Sequence, residues 1–243
     1  MGSLGRYLIF MVSLFRNRER FKVYVGKFFE ECVLIGIDSL LIVSIVSSFI
    51  GAVTCVQTAH NLVSPFIPDY IISMIVRDMT VLELAPTITC VVLAGKVGSH
   101  IAGQLGTMRI TEQIDALEVM GVNSASYLVL PKVIAALVMI PCLVVLSGFL
   151  SIFGGLVAAY LVGFMTEQEY SYGIRFEFME FNVYFAVIKA VVFAFLISSI
   201  SSFKGYYTKG GALEVGLAST AAVTNSCIAV LVADYLLAQL LLS

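Results

Sequence analysis

Long apolar runs separated by short polar loops constrain this chain before any other feature does. Each run is near the length a helix needs to cross a hydrocarbon layer, roughly 20 residues at a rise of about 1.5 Å. In lipid every backbone N–H and C=O must be satisfied within its own segment, so runs of this kind fold as helices. The sequence is 60% hydrophobic and 12% charged, with a mean hydropathy of +1.00. Soluble domains are closer to half apolar and a quarter charged. The expected fold is an all-α integral membrane protein with about five transmembrane helices, residues 1–243 forming one membrane domain.

The expected spans are 33–57, a second from about 82 into the polar residues beyond 94, 131–164, 182–203 and 217–242. In the first, Ser44, Ser47, Ser48, Gly51 and Thr54 form a small-residue face of the kind that lets helices pack closely in lipid. Pro65 and Pro68 mark a loop after it. The next region carries Arg77, Asp78, Glu83 and Pro86 and reads as a broken element, a short segment at 70–80 and then a span. Lys189 and Asp234 lie inside later spans. Ionisable groups at such depth face a protein interior or a water-filled cavity, although Arg77 and Asp78 fit an interfacial position equally well.

At the N-terminus, Leu4, Tyr7, Leu8, Met11, Leu14 and Phe15 recur at helical spacing over a stretch too short to span. Arg16, Arg18, Arg20, Lys22 and Lys27 come next. A short amphipathic helix on the membrane surface is expected within residues 1–30, its basic residues reaching lipid phosphates. With the N-terminus cytoplasmic, eleven of the fourteen Lys and Arg residues fall on the cytoplasmic side. The positive-inside rule selects that orientation. No cleavable leader is apparent in the first residues, which fits a bacterial inner-membrane protein inserted through its own spans.

Against this background residues 95–132 stand out, GKVGSHIAGQLGTMRITEQIDALEVMGVNSASYLVLPK. The orientation makes them a cytoplasmic segment. Thr107 to Met120 reads as one helix stopped by Gly121. On a helical wheel Ile110, Ile114 and Leu117 share a face, with Glu112 and Asp115 nearly opposite and Glu118 at the flank. Its apolar side can rest on the membrane domain and its acidic side can face the cytosol.

Catalytic signatures are not found in the sequence. Gly95-Lys96 resembles the end of a phosphate loop, but the Gly required five residues earlier is Cys90. His60 and His100 are isolated, and the five cysteines form no CxxC pair. No cofactor, metal or nucleic-acid partner is expected.

The stretch LAGKVGSHIAGQLGTMRITEQIDALEVMG, Leu93 to Gly121, resembles the signature of MlaE-type permeases, the membrane subunits of MCE-associated ABC systems that move lipid across the cell envelope. The likeness extends through ASYLVLPKVIA at 125–135, KGYYTKGGALEVGLASTAAVTNS at 204–226 and Asp234, while ELAP at 83–86 is similar to the family's ELGP. The resemblance implies a homodimer of five-span subunits and a coupling helix that docks on a separate ABC ATPase. It implies a periplasmic MCE-domain partner, a STAS-domain protein on the ATPase, and a lipid cavity lined by the first two spans. Residue by residue it points to Glu112, Gln113 and Asp115 for ATPase coupling, Glu83 for the lipid cavity, and Asp234 as a structural intramembrane polar group. The family often has an Arg before the Glu of ELGP, where this chain has Leu82.

The expected function is a non-enzymatic permease subunit that moves phospholipids or related lipids between the inner membrane and the periplasm or outer membrane. An ATPase partner would drive it. The alternative is an ion-coupled secondary transporter of a small solute, with Glu83, Lys189 and Asp234 as coupling charges.

Overall fold

The computed structural model describes residues 3–14, 21–62 and 68–242. Arg16, Arg18 and Arg20 of the basic run and Pro65 of the first loop lie outside the described residues. Regular structure among the described residues is helical throughout: α1 (Ser3–Ser13), α2 (Phe21–Ile35), α3 (Leu40–Asn61), α4 (Tyr70–Met79), α5 (Thr89–Leu93), α6 (Ser99–Ile110), α7 (Gln113–Val119), α8 (Ser124–Val162), α9 (Glu167–Arg175), α10 (Glu180–Tyr206) and α11 (Ala212–Leu242). Among the described residues, five stretches are long and apolar enough to cross a membrane: Tyr24–Asn61, Tyr70–Ile110, Ser124–Val162, Glu180–Tyr206 and Ala212–Leu241.

The second stretch departs from the sequence reading. No break separates residues 70–80 from the span that begins near 82. Wider π-helical turns at Thr80–Ile88 and Ala94–Gly98 join α4, α5 and α6 into one helical path. Pro86 sits inside the first of them. A proline removes one ladder bond, and a π-turn takes up the mismatch without ending the helix. The helical path also runs to Ile110, so Gly95 to Ile110 continues the same helical stretch. Similarly α8 begins at Ser124, ahead of Pro131, with the Asn123 side chain accepting the Ser126 N–H at 3.3 Å.

Two compact units are present. The first comprises Met1–Ser39, Val91–Ile140 and Val191–Ser243. Here the glycines of GSHIAGQLG form a packing face on α6 and the turn before it. A Cβ at Gly98 would sit 2.9 Å from Ser201 Oγ of α10, and one at Gly106 would sit 3.1 Å from Val215 Cγ1 of α11. Within this unit Lys132 is almost fully buried and donates to Glu31 of α2 and Gln104 of α6, tying both to α8. On the N-terminal helix, Phe10 and Leu14 are buried, and Tyr7 bonds Ser199 at 2.7 Å. Leu8, Ile9 and Val12 are exposed.

The second unit comprises Leu40–Cys90 and Pro141–Ala190. Cys55, Ile72, Val76, Ala159, Met165 and Tyr170 form its core. The small-residue face of α3 meets α8 at backbone distance. A Cβ at Gly51 would lie 1.8 Å from the Ser151 carbonyl oxygen, and one at Gly154 would lie 2.2 Å from that of Ser48. Ser151 Oγ donates to the Ser47 carbonyl at 2.8 Å. Gly163, at φ +76, ends α8 in the left-handed conformation that favours glycine.

Thr166 then starts α9 with a reciprocal cap. Its hydroxyl accepts the Glu169 N–H at 3.3 Å, and its own N–H donates to the Glu169 carboxylate at 2.9 Å. The Thr166 N–H, and its hydroxyl donating to the same carboxylate oxygen at 2.8 Å, hold the Glu169 carboxyl below the usual carboxylate range. Tyr170 is buried, and its hydroxyl donates to the Ile152 carbonyl at 2.9 Å.

Replacing Gly51 by Ala should destabilise the protein by about 3 kcal/mol or more, because the obstacle is backbone and cannot rotate away. Gly26→Ala, where a Cβ meets nothing within 4 Å in the interior of α2, should not lower the thermal unfolding temperature in detergent. For α9, Thr166→Ala should cost about 1 kcal/mol of local helix stability. The Glu169 contribution is present above the ordinary glutamate pKa of about 4.3 and is lost as pH falls through the lowered folded value. Hydrogen exchange of α9 amides, scanned toward acid, reads both effects.

Candidate functional site

In the first unit α6 ends in an elbow. Thr111 closes the helix, and Glu112 takes the left-handed conformation at φ +60, an uncommon choice for a residue with a side chain. The expected single helix Thr107–Met120 is therefore two pieces, the end of α6 and a separate α7. Wheel geometry assumes an unbroken helix, and the left-handed residue resets the direction. The faces survive the break. Ile114 is fully buried, Leu117 and Ile110 are half-buried, and Glu112, Gln113 and Asp115 are exposed. Gly121, at φ +80, closes α7 with its N–H on the Glu118 carbonyl at 3.0 Å, as its sequence position suggested.

Two features of the elbow escaped sequence reasoning. Asp115 is paired with Arg109 Nη1 at 2.7 Å, so part of the acidic face is neutralised within the chain. Val119 and Met120, at the tip of α7, are 89% and 69% exposed. An apolar tip beside acidic side chains has the make-up of a protein-contact surface more than of a solvated turn. Their position just before Gly121 was the available signal.

In the second unit the ionisable residues are sorted by pairing. Pro86 lacks the N–H that would return to the Leu82 carbonyl in a regular α-helix. That carbonyl accepts Lys189 Nζ at 3.1 Å, and Glu83 Oε2 pairs with the same ammonium at 2.7 Å. Lys189 is fully buried, whereas the Glu83 side chain is 52% exposed. Glu83 lines an open recess of about 280 Å³ with Thr54, Gln57, Thr58, Asn61, Met79 and Leu84. The polar walls can take a headgroup or water, and the Met and Leu edge can take hydrocarbon. Arg77 does not stand in for a cation beside Glu83. It is buried, pairs with Asp78 at 2.9 Å, and donates to the carbonyls of Ile174 and Phe176 at 2.8 and 2.7 Å. It ties α4 to the turn after α9. Asp234 is nearly buried on α11, in the first unit.

Among the described residues, five membrane-length helical stretches, a polar elbow and an open recess beside a half-exposed ion pair define a polytopic membrane protein. Residues 28–240 match the family model described as Permease MlaE. A probable ABC transporter permease protein of Rickettsia bellii (strain RML369-C) is 37% identical over 240 residues, covering 98% of this chain and 92% of the relative. One from Synechocystis sp. (strain ATCC 27184 / PCC 6803 / Kazusa) is 34% identical over 212 residues, covering 87% and 80%. One from Pyropia yezoensis is 32% identical over 219 residues, covering 89% and 82%. The chain belongs to the MlaE permease family. It is a multi-pass ABC transporter permease, a transport subunit and not an enzyme.

Removing the Glu83 carboxylate leaves a buried ammonium with a weakened set of partners, whereas removing Lys189 leaves a carboxylate that water can reach. Glu83→Ala should destabilise the protein by about 2 kcal/mol, and Lys189→Met by less. The double variant should be more stable than Glu83→Ala alone. Thermal unfolding of the three purified variants checks the order.

Proposed function

We propose that this permease moves phospholipids or related lipids between a bacterial inner membrane and the periplasm or outer membrane. ATP is hydrolysed by a separate ABC ATPase subunit. The observation that carries the reading is α7, a short helix seated on Ile114 that presents Glu112, Gln113, Asp115, Val119 and Met120 outward. The acidic residues offer a polar rim and the Val119–Met120 tip offers an apolar anchor, the two components of a protein contact.

Charge distribution supports the orientation. The first unit holds eleven of the fourteen Lys and Arg residues and the second holds three. The N-terminus and α7 are then cytoplasmic. On α1 the exposed Leu8, Ile9 and Val12 lie opposite the buried Phe10 and Leu14 and suit a helix lying in the membrane surface.

The recess beside Glu83 is the candidate access point for a lipid headgroup, with Glu83 and Lys189 setting its polarity. Transport then proceeds as a population shift. Nucleotide-driven closure of the ATPase moves α7, and the spans answer by opening or closing the lipid path. A second copy of the chain, an MCE-domain protein on the periplasmic side and a STAS-domain protein on the ATPase complete the assembly we propose. An ion-coupled exchanger fits less well, since the family match is to ABC permeases and Lys189 and Glu83 already neutralise each other.

Glu112→Lys with Asp115→Lys should abolish co-purification of the ATPase and ATP-dependent lipid transfer. Val119→Asp with Met120→Asp should do the same while leaving the permease folded, because both side chains are exposed. Undiminished ATPase binding and lipid transfer in both double variants would sink the docking assignment.

A further inference from the structure

Left-handed residues flank α7 on both sides, Glu112 at φ +60 before it and Gly121 at φ +80 after it. A seven-residue helix between two such turns would swivel under a push and transmit little of it. One cluster in the first unit opposes that swivel. Tyr206, the last residue of α10, donates its hydroxyl to Glu118 Oε1 at 3.0 Å. Ser124 Oγ donates to the same carboxylate oxygen at 2.8 Å and lies 2.7 Å from the Tyr206 hydroxyl. Ser124 and Tyr206 are buried and Glu118 is exposed, so two buried hydroxyls hold the carboxylate from its protein side. Two hydroxyl protons serve three oxygen contacts, and loss of either hydroxyl leaves the carboxylate with a single donor.

The cluster extends beyond α7. The Tyr206 ring packs on Phe10 of α1 with centroids 5.2 Å apart, and the Arg109 guanidinium of α6 lies 5.9 Å from its centre. Asn123, which caps α8, donates through Nδ2 to the Ser13 carbonyl at the end of α1 at 3.1 Å. The tip of α7, the start of α8, the end of α10 and the N-terminal helix therefore meet around one phenol.

We propose that Tyr206 is a positioning residue for energy coupling. Its hydroxyl clamps Glu118 and Ser124 while its ring holds Phe10, so that α7 moves as one piece with α1 and the end of α10. The inference rests on the docking role proposed for α7. A push on α7 then reaches α10 and the surface helix and is not lost in rotation about Glu112 and Gly121.

The test uses the assembled transporter with Tyr206→Phe, Glu118→Gln and Glu118→Ala. Tyr206→Phe keeps the ring packing and removes only the hydroxyl. It should leave ATPase co-purification and ATP turnover within about twofold, while lipid moved per ATP falls about tenfold, the scale of one hydrogen bond to a charged group. Glu118→Gln keeps an acceptor oxygen and should retain most of the coupling ratio, whereas Glu118→Ala should behave like Tyr206→Phe. Hydrogen exchange on the purified permease should show α7 amides opening about tenfold faster in Tyr206→Phe, with the α9 amides unchanged. An unchanged coupling ratio, unchanged α7 exchange, or ATPase binding that falls in step with transport would each overturn the clamp. If the unaltered permease binds no ATPase, the docking reading fails by itself, and the exchange measurement still decides whether Tyr206 holds α7.

Discussion

Lipid removes the usual reason for helices to associate, since apolar side chains gain little by leaving a solvent as oily as themselves. What remains is contact between backbones. In the second unit that contact is the reciprocal approach of Gly51 to Ser151 and Gly154 to Ser48, reinforced by Ser151 donating to the Ser47 carbonyl. In the first unit Gly205 plays the same part, a Cβ there lying 2.6 Å from the Ala102 carbonyl oxygen, while Gly98 and Gly106 admit side chains of α10 and α11. Serines fit these positions because a hydroxyl can turn back onto its own helix, as Ser47 does to Val43 at 2.7 Å and Ser198 to Ala194 at 2.7 Å. They add no bulk and leave no polar group searching for water.

Charges inside such a structure obey the same constraint. Lys189 goes to Glu83 and a carbonyl released by Pro86, Arg77 to Asp78 and the carbonyls after α9, and Lys132 to Glu31 and Gln104. In each case the buried cation joins helices distant in sequence. The same bonds that offset its desolvation cost also fix which helices are neighbours. Of these three, the Lys189–Glu83 pair opens on a recess, which separates a candidate substrate contact from two structural ties.

Much of this was legible in the sequence, for physical reasons. Hydropathy finds spans because the bilayer leaves the backbone no alternative to helix. Gly121 and Ile114 were readable because a left-handed stop and a buried wheel position are local properties. The elbow at Glu112 was not readable, since nothing marks a glutamate as the residue that will take a positive φ. The packing role of the GSHIAGQLG glycines was not readable, because a helix-packing glycine and a loop glycine look alike until the neighbouring helix is known. The Lys189–Glu83 pair was missed as a pair because 106 residues separate its members. Pro86 nonetheless gave a hint, since a proline four residues after Leu82 leaves a carbonyl wanting a donor.

That separation shapes how the chain is made. An ammonium in the middle of an isolated span is disfavoured by about 3 kcal/mol on insertion. Its carboxylate partner is synthesised 106 residues earlier, at roughly 5 to 20 residues per second. For several seconds Glu83 therefore precedes its partner in the chain. The helix carrying Lys189 gains its place when it meets the earlier one. The ion pair thus ties the Glu180–Tyr206 helix to a stretch of chain that is synthesised before it.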